Sequence, residues 1–88
     1  MITLNEAFAK RVREILKEKK MTQYKLEQLT GIYHSTMNAI MNGGCKSSNF
    51  KTMVLIVREL GYSIPDFFDS PIFRDIDNLK IDDWINMR

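Results

Sequence analysis

Four positions near the middle of the chain carry small or polar side chains that can form directional contacts: His34, Ser35, Asn38 and Ala39. An asparagine amide can pair bidentately with adenine N6 and N7, an imidazole can donate to guanine, and an alanine methyl can contact a thymine methyl. Such a surface, without long charged side chains, is suited to reading base edges in a DNA groove. The alternative is that these side chains form the solvated face of an amphipathic helix.

The segment that contains these positions has the pattern of two short helices joined by a tight turn. Thr22 can cap the first helix, and Gly31 can adopt the positive φ that ends it. In the second helix, apolar side chains recur at i, i+3 and i+4, namely Met37, Ile40 and Met41. The polar positions therefore lie on the face opposite the core.

Capping patterns predict further helices on both sides of this pair. Thr3 and Glu6 form a capping box that begins helix one, which we expect to reach about Lys19. Ile64 and Pro65 begin a short fifth helix, because proline is tolerated in the first turn. Two phenylalanines are expected to close the core beneath it, Phe67 and Phe68.

Helix four is predicted between a cap at Ser48 or Asn49 and a stop at Gly61. Five apolar residues form its expected core face: Phe50, Met53, Val54, Val57 and Leu60. Leu55 and Ile56 add apolar surface beyond that face. We therefore expect these two side chains to be available for a second surface.

Length and composition indicate one small domain held together by packing. The chain has 88 residues, with 44% hydrophobic and 27% charged residues. Its longest apolar run, 53–57, is far shorter than the ~20 residues of a membrane span, so we expect a cytoplasmic protein. One cysteine and one histidine make an internal disulfide or a zinc site unexpected. No nucleophile lies beside a base, and neither an enzyme nor a cofactor is expected.

Charge is divided unevenly along the chain. Residues 1–62 contain ten lysines and arginines against five acidic residues, whereas residues 63–88 contain three against six. A basic body with an acidic C-terminal segment is typical of a domain that approaches phosphates with its body. The alternative is a chance asymmetry of solvated surfaces.

The central segment resembles the helix-turn-helix of the Cro and lambda-repressor class of bacterial and phage regulators. The matching pieces are Thr22-Gln23, Leu26, Leu29 to Ile32, Ser35-Thr36-Met37 and Ala39 to Gly43. The likeness extends over roughly Phe8 to Phe68. It implies an all-α fold, a five-helix lambda-repressor-like DNA-binding domain over residues 1–69. Residues 70–88 would form a short C-terminal extension in which Asp82 can cap a last helix.

The resemblance also implies roles for particular residues. Helix three, about 34–42, would enter the major groove and contact bases through His34, Ser35, Asn38 and Ala39. Phosphates of the DNA backbone would be contacted by Gln23, Thr36, Asn42, Lys46 and Ser47. The expected function is that of a sequence-specific regulator of transcription, a repressor that binds double-stranded DNA at a pseudo-palindromic operator.

Two residues depart from the family pattern inside the helix pair. Glu27 stands where a small residue, usually alanine, lets helices two and three cross closely. A buried, unpaired carboxylate is costly, so the side chain must swing outward or find a partner. Tyr33 replaces the usual small cap before helix three, which affects where that helix begins.

A single small domain buries too little surface for tight specific binding, so we expect a homodimer. The candidate interface residues are Leu55, Ile56, Phe73, Leu79 and Trp84. In the alternative arrangement, the C-terminal extension folds back over helix four of the same chain. A second hypothesis is an antitoxin, a protein-interaction module whose acidic, aromatic extension binds a toxin.

Overall fold

The computed structural model describes residues 2–43 and 49–74, and all regular structure in these ranges is helical. The elements are α1 (Leu4–Lys19), α2 (Gln23–Thr30), α3 (His34–Met41), α4 (Phe50–Glu59), α5 (Ile64–Phe68) and α6 (Pro71–Arg74). The predicted all-α class is confirmed, and α6 adds a short sixth helix to the five expected. Within the described ranges, no helix is long and apolar enough to cross a bilayer.

Side-chain caps determine where the helices begin. Thr3 Oγ1 accepts from the Glu6 amide at 3.0 Å, while Glu6 Oε1 accepts from the Thr3 amide at 2.9 Å. This reciprocal pair is the predicted capping box. At α4 the cap is Asn49, whose Oδ1 accepts from the Thr52 amide at 2.9 Å. Ser63 caps α5 in the same way.

One hydrophobic core joins the first five helices. α1 packs against α3, α2 packs against both α3 and α4, and α4 packs against α5. The buried side chains are Phe8, Val12, Ile15, Leu16, Leu26, Met37, Ile40, Met41, Ile56, Val57, Leu60 and Phe67. This packing holds α2 and α3 at fixed positions relative to the other helices.

The register of α4 differs from the prediction at three positions. Val54, predicted to be in the core, is half-buried and lines a surface groove together with Leu55. Ile56 is completely buried, so its assignment to an exposed interface is wrong. Met53, Ile56, Val57 and Leu60 follow an i, i+3, i+4, i+7 stripe that faces the core, with Met53 partly buried. Phe50, predicted to be in the core, is 69% exposed at the first residue of the helix. Its ring lies one turn before the buried stripe begins.

The end of α3 lies directly against the start of α1. Gly43, just beyond α3, has φ +72°. A Cβ atom built at this position would lie 2.7 Å from Cγ and 3.1 Å from Cα of Glu6. Both the backbone conformation and the close approach therefore require glycine.

Aromatic packing connects the start of the C-terminal extension to α5. The ring of Phe73 lies 4.8 Å from that of Phe68 and 6.2 Å from that of Phe67, measured between centroids. α6 also packs against α1, and Ser70 before it is buried. Phe73, a candidate interface residue, thus already contacts its own domain. Leu79 and Trp84 lie outside the described residues.

Candidate nucleic-acid interface

The local sequence of α2 and α3 produces a sharp turn between two short helices. Thr22 Oγ1 accepts from the Lys25 amide at 3.1 Å and caps α2. Gly31 has φ +76°, and its amide donates to the Glu27 carbonyl at 2.8 Å. The left-handed conformation ends α2 and leaves two residues before α3 begins at His34. The turn predicted at Gly31 is confirmed.

Burial of one side of α3 directs the other side outward. Met37, Ile40 and Met41 are at most 3% exposed and anchor the helix in the core. The opposite face carries four exposed side chains with hydrogen-bonding groups, and beside them a half-buried alanine: His34, Ser35, Thr36, Asn38 and Ala39. The structure therefore brings the four predicted base-contact residues together on one outward face.

The predicted phosphate contacts lie at the edges of this face. Gln23 is the first residue of α2 and is half-buried, whereas Asn42 follows α3 and is exposed. Thr36 is exposed on α3 itself. Lys46 and Ser47 lie outside the described residues.

A hydrogen-bonded group of side chains spans the gap between α2 and α3. Gln23 Nε2 donates to Glu27 Oε2 at 3.0 Å, and His34 Nδ1 lies 2.8 Å from the same oxygen. Gln23 Nε2 also lies 3.5 Å from Asn38 Oδ1. Two candidate base-contact residues are thus linked to α2 through polar contacts.

Glu27 is the centre of this group. Its carboxylate was expected to need a partner if buried, and it contacts both Gln23 and His34. Its side chain is 10% exposed, against 73% for that of His34. The hydrogen bond from Gln23 lowers the pKa of Glu27, burial opposes this effect, and the contact with His34 lowers the pKa further. The net direction is downward, so the carboxylate is ionised at neutral pH.

Two exposed tyrosines belong to the α2–α3 segment and were not among the predicted contact residues. Tyr33 is 82% exposed and occupies the N-cap position of α3. Its side chain forms no capping hydrogen bond with the described residues of that helix. Tyr24 is 67% exposed on α2, and its hydroxyl accepts from Gln28 Nε2 at 3.2 Å. An aromatic residue within a polar segment is the sequence signal by which these two tyrosines could have been chosen as candidate contact residues.

Two cations of α1 also lie near the end of α3. Lys10 and Arg13 line a groove of about 390 Å³ together with Asn42 and Gly43. Both cations belong to α1, for which the sequence pattern predicted a structural role and no DNA contact. They were missed because their proximity to Asn42 depends on the packing of α1 against α3.

Residues 11–71 match the family model of the Cro/C1-type HTH DNA-binding domain. The match includes most of α1, all of α2 to α5 and the first residue of α6. Comparison with curated proteins found no match, and neither did comparison with solved structures.

Proposed function

The chain belongs to the Cro/C1-type helix-turn-helix DNA-binding family, and we propose that it represses transcription by binding a specific duplex sequence. In this proposal α3 enters the major groove and the protein acts by binding alone. The supporting observation is the outward face of α3, which presents hydrogen-bonding groups while its apolar side is buried in the core.

We assign base contacts to His34, Ser35, Asn38 and Ala39 on this face. Asn38 is exposed and can pair with both N6 and N7 of adenine. Ala39, which is half-buried, offers a methyl group to thymine. A well-placed bidentate contact discriminates between bases by about 1–3 kcal/mol.

Phosphate contacts on both sides of α3 fix its depth and direction in the groove. On one side lies Gln23, together with Thr36 on α3. On the other lies Asn42. Lys46 and Ser47, which follow it in the sequence and lie outside the described residues, are further proposed phosphate contacts. Lys10 and Arg13 extend the second group, because they share a groove with Asn42. Their charge strengthens binding without selecting a sequence.

The proposed repressor is a homodimer that reads two half-sites about 34 Å apart. The supporting observation is a largely apolar groove of about 530 Å³ on α4, lined in part by Phe50, Val54 and Leu55. Phe50 is the most exposed of the described phenylalanines. Leu79 and Trp84 of the C-terminal extension complete the proposed interface.

Selection of bound sites from random duplex DNA tests this function directly. The selection is run with the full chain at a fixed, moderate salt concentration, because affinity for phosphates depends steeply on salt. We expect one enriched motif with two symmetric halves. Binding without enrichment would contradict base reading, and a single unrepeated half-site would contradict the dimer.

A reporter gene placed behind the selected motif tests the direction of regulation. Repression requires lower reporter expression when the protein is present. Unchanged or higher expression would contradict the repressor assignment. Met37→Lys places a charge at a fully buried position and should prevent folding, so this variant is the control for a misfolded chain.

A further inference from the structure

The carboxylate of Glu27 contacts a side chain that the proposed function places at the DNA. Its Oε2 atom lies 2.8 Å from Nδ1 of His34, which is a hydrogen-bonding distance. Glu27 belongs to α2 and His34 to α3, so the contact crosses the turn between the two helices.

The geometry determines which nitrogen of the imidazole carries the proton. An ionised carboxylate can only accept hydrogen bonds, whereas a neutral imidazole has one donor and one acceptor nitrogen. A lone pair on Nδ1 would face the negative oxygen at 2.8 Å, which is repulsive. The proton of the neutral ring therefore lies on Nδ1, and the lone pair lies on Nε2.

Gln23 keeps the carboxylate in this orientation. Its Nε2 group, which can only donate, approaches the same Oε2 atom at 3.0 Å. The Glu27 side chain is 10% exposed, so water competes weakly for that oxygen. Gln23 therefore holds the carboxylate oxygen of Glu27 in the position from which it contacts His34.

We propose that Glu27 is a positioning residue that makes neutral His34 a hydrogen-bond acceptor toward the bases. The inference rests on the proposed function, in which His34 faces the major groove. An acceptor at Nε2 matches the amino groups of cytosine N4 and adenine N6. This replaces the expectation that His34 donates to guanine, because the proton needed for that contact is held by Glu27.

Nuclear magnetic resonance of the free protein tests the first half of the proposal. His34 is the sole histidine of the chain, so its ring signals need no assignment by mutation. Long-range ¹⁵N–¹H correlations are recorded at a pH where the ring's own titration shows it to be neutral. We expect the proton on Nδ1 in the wild type and on Nε2 in Glu27→Ala. A wild-type ring protonated on Nε2 would overturn the proposal.

Two further substitutions test whether the tautomer of His34 depends on the hydrogen bond with Glu27 and not on the loss of any carboxylate. Glu18→Ala removes an exposed carboxylate from α1 and should leave the His34 tautomer unchanged. Glu27→Gln retains an acceptor oxygen and should preserve part of the Nδ1-protonated population. The wild-type measurement remains decisive even if Glu27→Ala fails to fold.

Modified duplexes test the second half at the base pair whose preference is lost in His34→Ala. N4-methylcytosine or N6-methyladenine replaces the groove-facing amino hydrogen and retains Watson–Crick pairing. Deaza substitution at purine N7 removes an acceptor instead. We expect the methyl group to weaken wild-type binding about tenfold, while the deaza purine has little effect.

Glu27→Ala should lose the sensitivity to methylation at that base pair and become sensitive to the deaza purine. An unchanged pattern in Glu27→Ala, or the opposite pattern in the wild type, would overturn the proposal. If random-site selection yields no enriched motif, the proposed function fails, whereas the tautomer measurement still decides what Glu27 does to His34.

Discussion

Arg11 Nε donates to the carbonyl oxygen of Phe67 at 2.7 Å, joining the middle of α1 to the end of α5. A second donation, from Arg11 Nη2, reaches the Asp66 carbonyl at 3.1 Å. The guanidinium also lies over the ring of Tyr62, 5.5 Å from its centroid. A residue that appears in the sequence as one more surface cation is thus a structural link across the domain.

Replacing Arg11 by alanine should lower the free energy of unfolding by about 2 kcal/mol, because charge-assisted hydrogen bonds to two carbonyls are lost. Urea denaturation followed by circular dichroism measures this change. Arg13→Ala, an exposed arginine on the same helix, is the control and should remain within about 0.5 kcal/mol of the wild type. Equal effects of the two substitutions would contradict the assigned role.

Gly43→Ala should destabilise the protein more than Gly31→Ala, although both glycines have similar positive φ angles. Each substitution places a side chain in the left-handed region, at a cost of about 1–2 kcal/mol. At Gly43 the new methyl also meets Glu6, whereas in the described part of the chain nothing lies within 4 Å at Gly31. We expect an additional loss of about 1–3 kcal/mol at Gly43. Thermal unfolding of the two variants measures the difference, and equal losses would contradict the close approach.

The lowered pKa of Glu27 predicts a pH dependence of stability. Because the folded pKa is below the unfolded one, the stabilisation is complete above pH ~4.3 and is lost as pH falls through the folded value. The difference in free energy of unfolding between wild type and Glu27→Gln should therefore shrink in acid. Urea denaturation across that pH window measures it.

Gln23→Ala should reduce this pH dependence, since the Gln23 hydrogen bond is the largest cause of the lowered pKa. A difference between wild type and Glu27→Gln that is constant with pH would show that the pKa of Glu27 is the same in the folded and unfolded chains.

Asn38→Ala should remove discrimination at one base pair, by about 1–3 kcal/mol, while non-specific affinity stays nearly constant. Fluorescence anisotropy on the selected motif and on its single-base variants measures both quantities. Asn42→Ala is the matched control: it should weaken binding on all sequences about equally, and because asparagine carries no charge, the salt dependence should stay that of the wild type. A uniform loss in Asn38→Ala would contradict its proposed contact with a base.

Leu55→Lys should weaken self-association, because it places a charge in the apolar groove of α4. Sedimentation velocity over a range of concentrations measures the effect. Leu29→Lys changes an exposed leucine on α2 and should not alter self-association. Trp84→Ala should act in the same direction as Leu55→Lys. A Leu55→Lys profile identical to that of the wild type would refute the α4 interface.

The helices could be predicted from the sequence because their signals are local. Thr3, Thr22 and Asn49 cap helices through atoms only three residues away, and Gly31 ends α2 through its own backbone conformation. The outward face of α3 followed from the spacing of its buried residues. These features depend on the backbone of a few neighbouring residues, which sequence patterns report directly.

Contacts between distant segments could not be predicted in the same way. The Arg11–Phe67 bond joins residues 56 positions apart. The burial of Ile56 depended on where the neighbouring helices lie, since either Leu55 or Ile56 can extend an apolar face. At the site, the need for a partner of Glu27 was visible, and Gln23 lies one helical turn before it on α2. The contact with His34, in contrast, required the angle between α2 and α3.

The Gln23–Glu27–His34 group has a consequence for how this family can diversify. All three side chains fall within residues 23–34, so a short exchange of sequence transfers the whole group to a related domain. Most of the exchanged surface faces away from the core, with Leu26 as its buried anchor. The proposed hydrogen-bonding character of His34 therefore transfers together with the side chains that set it, independently of the other proposed base contacts and of the residues that hold the rest of the domain together.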